Sequence, residues 1–568
     1  MSKETLVKSL QAICLVVFVG WARARPAVEV KAGRSKEVKD HLRASEQDMQ
    51  RWRDMKFGLF VHWGPVSLMG TEIGWSRGGE RRGRKGRGEI PVEVYDSLYL
   101  SFYPSRFDAK EWVRIAQEAG MRYLVFTTKH HDGFCMFDSR LTEYKISNSP
   151  FKRDIVRELA DACHEAGLKL GFYYSQPDYH HPDYRTENHA RYIKYLHEQI
   201  RELCTNYGRV DIIFFDGLGG KAEDWNSETM FKIVRQLQPH VVIDNRAGLP
   251  GDYDTPEQHI GKFQRGRAWE TCMTIGDQWA WKTGDNVKTL KQCIQTLVRV
   301  VGGDGNFLFN VGPMPTGEIE PRQVAILKGM GEWLRKYGEG IYGTRGGPFK
   351  SGAWGASTCR GNRVYLHILN WHGERFFLPP IDRKVIGTSL LTGGQLDIKQ
   401  NQNEITLKVP EEYHREIDTV VVLDLDGPAS EIEPLSVPSR SLAYGKNAGA
   451  SGVYRNRAEN SADQAFDDDY SSLWRSDGKE GWLEVDLGCP QTVSTAVVHQ
   501  GSDYFGAEEF ELLCKVGEKW QILAEGTKLG QPAVLKFEPV RAQVFRLKAS
   551  RRDRQLMICE FQLFGPER

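Results

Sequence analysis

VDIIFFDG, residues 210–217, decides how this chain is read. Ile212 to Phe215 form an apolar run with no polar alternation, so the strand they predict is buried on both faces, as in a parallel sheet covered by helices. Asp216 and Gly217 then end the run, which places a carboxylate where a strand gives way to a tight turn. Six runs of the same kind surround it: FGLFVHW (57–63), YLVFTTKHH (123–131), LKLGFYYS (168–175), VVIDN (241–245), AWETCM (268–273) and NFLFNV (306–311). Between them lie amphipathic stretches at 108–119, 152–166, 188–206, 226–237, 286–301 and 320–337, with apolar residues at helical spacing. Strands alternating with helices in this number favour a (β/α)8-like barrel over an open doubly wound sheet. No GxGxxG follows the strand at 59–63 or residue 245, which disfavours a dinucleotide site.

Outward from the barrel the pattern changes. After Gly343 the runs VYLHILNW (364–371), RFFLPP (375–380), EITLKV (404–409) and TVVVLDL (419–425) alternate or stay short, with Gly, Asp and Asn turns between them. This is a β-sandwich pattern. A Pro/Ser/Glu-rich linker follows, and a second all-β segment runs from about 441 to 565. The expected division is a signal peptide over 1–25, a linker and short helix over 26–50, the barrel over 51–343, a sandwich over 344–428, a linker over 429–440 and a terminal β domain over 441–568.

The N-terminus carries Lys3 and Lys8, then a short apolar run from Leu10 to Ala22, then Arg23 and Arg25. That run is shorter than the ~20 residues of a membrane span and reads as a signal-peptide core, so a secreted or periplasmic protein is expected. Lys+Arg total 76 against 75 for Asp+Glu, a balance that gives no global field for nucleic acid or an anionic membrane. The 15 Trp, 21 Tyr and 26 Phe suit stacking on sugar faces and equally suit large cores. Nine cysteines remain beyond Cys14, scattered and without a CxxC pair, so buried free thiols are expected rather than a zinc ribbon or a disulfide framework. RGGERRGRKGRG (77–88) holds six basic residues and one acid. It reads as a solvated loop or as a basic rim for anionic groups on a glycan.

In such a barrel the site gathers at the C-terminal strand ends. Those ends carry His62-Trp63, Lys129-His130-His131-Asp132, Tyr173-Tyr174-Ser175, Asp216, and Asp244-Asn245-Arg246 with Glu257 beyond, then Glu270, Trp279 and Trp281. Two carboxylates flanking a bond are what glycoside hydrolysis needs: one protonates the leaving oxygen, the other attacks or activates water. Asp216 fits a nucleophile or general base, and Glu257 a general acid. His130 and His131 are neighbours on a strand and point to opposite faces, so they suit hydrogen bonds to hydroxyls better than shared ligation of a metal.

KFGLFVHWGPVS (56–67), YLVFTTKHHDGFCMFDS (123–139), YYSQPDYHHPDY (173–184), IIFFDG (212–217), DNRAG (244–248), TPEQ (255–258), WETCM (269–273) and GNFLFNVGPMPTGEI (305–319) together resemble the α-L-fucosidases of glycoside hydrolase family 29. The resemblance implies an exo-acting, retaining enzyme without a catalytic cofactor, acting on fucosylated oligosaccharides or glycoconjugates. In it Asp216 is the nucleophile and Glu257 the acid/base, with Glu270 a rival for that role. His62, His130, His131 and Tyr174 hold the fucose hydroxyls, Trp75 and Trp279 pack on the apolar sugar face, and Arg246 stands near the acid/base. KHHDGFCMFDS, TPEQ and WETCM are similar to the branch that removes α-1,3/1,4-linked fucose from branched glycans. The alternatives are a broad-specificity fucosidase, a glycosidase for a related sugar, and a glycan-binding barrel without turnover. AFDDDYSSLWRS (465–476), GWLEVDLG (481–488), VFRLKA (544–549) and ICEFQLFG (558–565) resemble discoidin-type, family 32-like carbohydrate-binding modules, which are jelly rolls. That resemblance implies a structural Ca2+ in the terminal module, at Asp467 and Glu560.

Overall fold

A computed structural model describes residues 42–566, apart from 87, 372, 471, 502–505, 531, 553 and 554. The expected signal peptide lies outside the described residues. Seven parallel strands form the first sheet: β1 (Phe57–Val61), β2 (Tyr123–Lys129), β3 (Lys169–Tyr174), β4 (Ile212–Phe215), β5 (Val242–Ile243), β6 (Glu270–Thr274) and β7 (Asn306–Val311), in the order β5-β4-β3-β2-β1-β7-β6. The sheet is curled, consistent with a barrel-like core. The edge strands are linked by an extended segment: Asp244 bridges Tyr253, Asp254 bridges Trp269, and Glu257 bridges Cys272.

The helices are α1 (Glu46–Met55), α2 (Val92–Ser97), α3 (Ala109–Glu118), α4 (Ile155–Ala166), α5 (His189–Asn206), α6 (Ala222–Trp225), α7 (Ser227–Leu237), α8 (Leu290–Gly302) and α9 (Pro321–Tyr337). Local chemistry sets their ends. Asp108 and Asp154 cap the free amides at the starts of α3 and α4, Thr289 and Gln292 form a capping box on α8, and Gly167 closes α4 in the left-handed conformation.

Strand alternation divides the apolar side chains between two cores. Phe60, Tyr123, Tyr173, Phe214 and Leu308 point into the sheet's concave interior, where Trp52 of α1 meets Tyr253 at 4.4 Å. Leu59, Val61, Tyr174, Phe215 and Phe309 point outward and pack under the helices. At ~25 cal/mol per Å² of apolar surface, filling both faces is the main stabilising term of the domain.

Beyond α9 the described structure is built of strands and short 3-10 turns. β8 (Arg345–Gly346), β9 (Gly355–Arg360), β10 (Arg363–Ile368), β12 (Val385–Leu390) and β15 (Thr419–Leu425) form one sheet, and β11 (Arg375–Leu378), β13 (Asp397–Gln400) and β14 (Ile405–Lys408) a second. Both contribute to one core, with Leu378 and Leu407 from the small sheet meeting Leu366 and Val421 from the large one. The last sheet holds β16 (Asn447–Ala450), β17 (Trp474–Arg475), β18 (Glu480–Gln500), β19 (Glu509–Val516), β20 (Lys519–Gly526), β21 (Ala533–Ser550) and β22 (Met557–Phe564). It packs its own core around Phe466, Trp474, Phe545 and Phe561. All nine cysteines from Cys135 onward are free thiols; eight are buried and Cys489 is exposed. Among the described residues no helix is long and apolar enough to cross a membrane.

Candidate active site

A cleft of about 2100 Å³ opens at the C-terminal ends of the parallel strands. His62, Trp75, His130, His131, Asp216, Arg246, Glu257 and Trp279 all line it. Eight of the residues expected there from the sequence are therefore brought to one place.

Asp216 follows β4 and keeps the inward parity of Ile212 and Phe214. It is only 9% exposed. The Tyr173 hydroxyl donates to its Oδ2 at 2.9 Å, and His131 Nε2 lies 3.5 Å from the same oxygen. Its other oxygen faces Arg246, whose Nη1 lies 3.6 Å from Oδ1. The same Nη1 donates to Glu257 Oε2 at 2.7 Å. One nitrogen thus touches both carboxylates, so these two oxygens are no farther apart than the two distances laid end to end, about 6.3 Å. Arg246 is fixed in turn by Thr255, which accepts from Nε through its hydroxyl at 2.8 Å and from Nη2 through its carbonyl at 3.1 Å. The Glu257 side chain is 42% exposed, so one carboxylate sits deep and the other at the rim.

The three histidines are held neutral by burial. The His62 ring is pushed down to about 3, and those of His130 and His131 well below the ordinary histidine range. Hydrogen bonds assign two tautomers. The Asn310 amide donates to the Trp279 carbonyl at 2.8 Å, so its oxygen accepts from His62 Nδ1–H at 2.7 Å. The Ser175 hydroxyl donates to the Pro177 carbonyl at 2.6 Å, so its oxygen accepts from His131 Nδ1–H at 2.6 Å. Each ring then keeps an unprotonated Nε2, an acceptor for a sugar hydroxyl. His130 stacks on Tyr173 at 5.4 Å, and its Nδ1 has no protein partner. Both His130 and His131 line the cleft, with rings 4.1 Å apart, rather than pointing to opposite faces, because β2 ends at Lys129 and strand alternation does not reach them.

The aromatic walls are built from the loops. Trp279 lies 4.7 Å from the His62 ring, and Trp75 lies 5.0 Å from that of His131. Arg81 and Arg84 of the basic segment each place a guanidinium 5.2 Å from the Trp75 ring, and Arg84 and Lys85 reach the cleft itself. The segment is thus part of the site's wall.

Two expected residues lie elsewhere. The Tyr174 hydroxyl donates to Gln199 at 2.7 Å on the helix side of β3, and its neighbour Tyr173 occupies the cleft. Adjacent strand residues face opposite ways, so only one of the pair can point inward. Glu270 begins β6, fully buried beneath the cleft, and accepts a hydrogen bond from Tyr123. Asp467 and Glu560 do come together in the last sheet region. The two carboxyl groups share a hydrogen bond, and burial, with Asp468 and Asp467 close by, drives Glu560 well above the usual carboxylate range. Among the described residues no group of three or more His, Cys, Asp or Glu side chains gathers to hold a metal.

Glu72 and Asn310 belong to the site although neither is among the residues expected from the sequence. Glu72 lines the cleft and accepts from the backbone amides of Trp279 at 2.9 Å and Ala280 at 3.1 Å, so it anchors the tryptophan loop. Burial pushes its carboxyl up to about 7. It sits in a loop, where strand-end logic does not look; the acid between Gly70 and Gly74 was the available signal. Asn310 was readable as a polar residue inside the apolar run NFLFNV.

A family model described as alpha-L-fucosidase matches residues 26–339. Alpha-L-fucosidase 1 of Arabidopsis thaliana is 29% identical over 322 residues, 51% of this chain and 59% of that protein, so the match spans less than two thirds of the plant relative. Among solved structures, alpha-L-fucosidase isoenzyme 1 from Paenibacillus thiaminolyticus is 36% identical with a TM-score of 0.62, covering 67% of this chain and 99% of that one. A GH29 alpha-L-fucosidase from Bacteroides thetaiotaomicron, solved as a trapped covalent intermediate with 2-fluoro-fucosyl fluoride, is 28% identical with a TM-score of 0.61, covering 69% and 100%. With the family model spanning more than half of its length, the chain belongs to the alpha-L-fucosidase family of glycoside hydrolases.

Proposed function

We propose that this chain is an exo-acting retaining α-L-fucosidase that releases terminal α-1,3/1,4-linked fucose from branched glycans by double displacement. The observation that carries the reading is Arg246 between Asp216 and Glu257. Retaining glycosidases hold their carboxyl groups ~5–5.5 Å apart and inverting ones ~6.5–9.5 Å apart. The facing oxygens of the two carboxylates lie within about 6.3 Å of each other around one Arg246 nitrogen, an arrangement that admits the retaining spacing. In the first step an Asp216 oxygen attacks the anomeric carbon while Glu257 gives its proton to the leaving glycosidic oxygen. In the second, Glu257 takes a proton from water, the water oxygen bonds to the anomeric carbon, and the bond to Asp216 breaks. Tyr173 steadies the nucleophile through Oδ2, and the neutral rings of His62, His130 and His131 receive the sugar hydroxyls. The covalent intermediate trapped in the Bacteroides relative supports the two-step course.

The linkage preference rests on the motif resemblance alone. Free fucose is measured after incubation with a Lewis-type trisaccharide, 2′-fucosyllactose and an aryl fucoside. Release from the trisaccharide alone is the expected result. Release from all three keeps the fucosidase and removes the linkage assignment, and release from none removes both.

The β-sandwich reading of 344–428 is supported by its two sheets sharing a core. The discoidin-type module over 441–568 rests on its motifs, and export of the protein on its N-terminal run. A structural Ca2+ at Asp467 and Glu560 is supported by the buried Glu560 Oε1, which has no protein partner, beside a second carboxyl group. If calcium binds there, chelation lowers the melting temperature and added Ca2+ restores it; an unmoved melting temperature removes the site.

A further inference from the structure

The cleft is not walled by the barrel alone. Gln500, Ala507, Glu508, Thr527, Lys528 and Arg551, all from the last sheet region, line the same space as Asp216 and Glu257. We propose that this region forms the far wall of the substrate cleft and holds the sugars on the leaving-group side of the fucose. The inference rests on the fucosidase reading and names where the remainder of the substrate lies.

Three observations carry it. The first is room. Pockets for drug-sized ligands run ~300–1,000 Å³. A cleft of about 2100 Å³ exceeds what one fucose fills and leaves space for further rings.

The second is that the far wall is built rather than loosely apposed. Gln500 sits at the end of β18 and is buried. Its amide donates to the Leu529 carbonyl at 2.9 Å and the Gly530 carbonyl at 3.1 Å, and its oxygen accepts from the Ala507 amide at 2.6 Å. Leu529 N donates to the Ala507 carbonyl at 3.2 Å, and Arg551 donates to the Gly506 carbonyl at 3.0 Å. Three separate chain segments are thus laced into one rim. Thr527 and Lys528 stand exposed on it.

The third is that the rim is anchored to the barrel. Arg299 on α8 is buried and lies 4.7 Å from the Tyr470 ring. Gln292, nearer the start of α8, lines both the cleft and the crevice under Tyr470. The distance between rim and catalytic carboxylates is therefore set by packing against a barrel helix, as a subsite requires. The chemistry of the rim, amide, hydroxyl, carboxylate, ammonium and guanidinium, suits the hydroxyl-rich face of an oligosaccharide.

The test compares two substrates in the full-length protein. α-L-Fucosyl fluoride has no leaving-group sugar, and a branched pentasaccharide bearing one α-1,3/1,4-fucose has several. Lys528→Ala removes a rim contact, and Thr527→Trp fills the space. Melting temperatures report that each variant folds. The ratio of kcat/KM on the pentasaccharide to kcat/KM on the fluoride is expected to fall at least tenfold in Thr527→Trp and severalfold in Lys528→Ala. A ratio that stays within twofold of wild type in both variants overturns the inference. Wild-type protein that hydrolyses neither substrate overturns the fucosidase reading instead, so the two failures are told apart.

Discussion

At the scale of single residues, three carboxylates do different work. Asp216→Asn is expected to lower kcat/KM by more than ~10³-fold, because the amide cannot form the covalent bond. Exogenous azide should restore turnover of an activated fucoside in Asp216→Gly, where the small nucleophile finds the vacated space. Glu257→Ala should cost ~10²–10⁴-fold, least with a leaving group that needs no proton. Glu270 is expected to behave as a structural group. Burial raises its carboxyl from 4.5 to about 8, so the folded protein favours the protonated acid. Its stabilising contribution is complete below pH 4.5 and is lost as pH climbs to about 8. Glu270→Gln should flatten the decline of melting temperature across that window while turnover persists. Turnover lost to the degree seen in Glu257→Ala would give Glu270 the catalytic role.

At the scale of elements, strand parity explains most of what the sequence did and did not disclose. Phe60, Phe214 and Leu308 face inward, so His62, Asp216 and Asn310, two residues on along their chains, face the cleft. The same counting gives Tyr173 rather than Tyr174, since Tyr174 shares the outward face with Phe172. Strand ends were therefore legible in position, and one of them was misread in parity. Loop residues were not legible: Glu72 reaches Trp279 across 207 positions of sequence, and no local pattern encodes that contact. Gly74 shows how tightly the loop is set. It has φ +64°, and a Cβ there would lie 2.6 Å from His130 Nδ1. Gly74→Ala should destabilise the protein by at least ~1–2 kcal/mol from the left-handed backbone alone, and should weaken substrate binding as His130 shifts. An unchanged melting temperature and KM would contradict the close packing.

At the scale of the whole molecule, the alternation of apolar strands and helices was enough to place the barrel-like core, because each strand's burial is written in its own composition. The association of the last sheet region with the cleft was not, since it depends on Arg299 meeting Tyr470 across a domain boundary. A desolvated cation over an aromatic face is worth ~2 kcal/mol. Arg299→Ala should lower the melting temperature and expose the 429–440 linker to protease, with little change if the two parts are held by other contacts. The basic segment belongs to the same scale: Arg81 and Arg84 cover Trp75, so it shapes the cleft as much as it charges it. Double displacement requires that Asp216 become covalently bound to fucose. Incubation with 2-deoxy-2-fluoro-fucosyl fluoride, followed by proteolysis and peptide mass spectrometry, tests it directly. One fluorofucosyl group on Asp216 is expected; a label on any other carboxylate, or turnover with no labelled peptide, would overturn the nucleophile assignment.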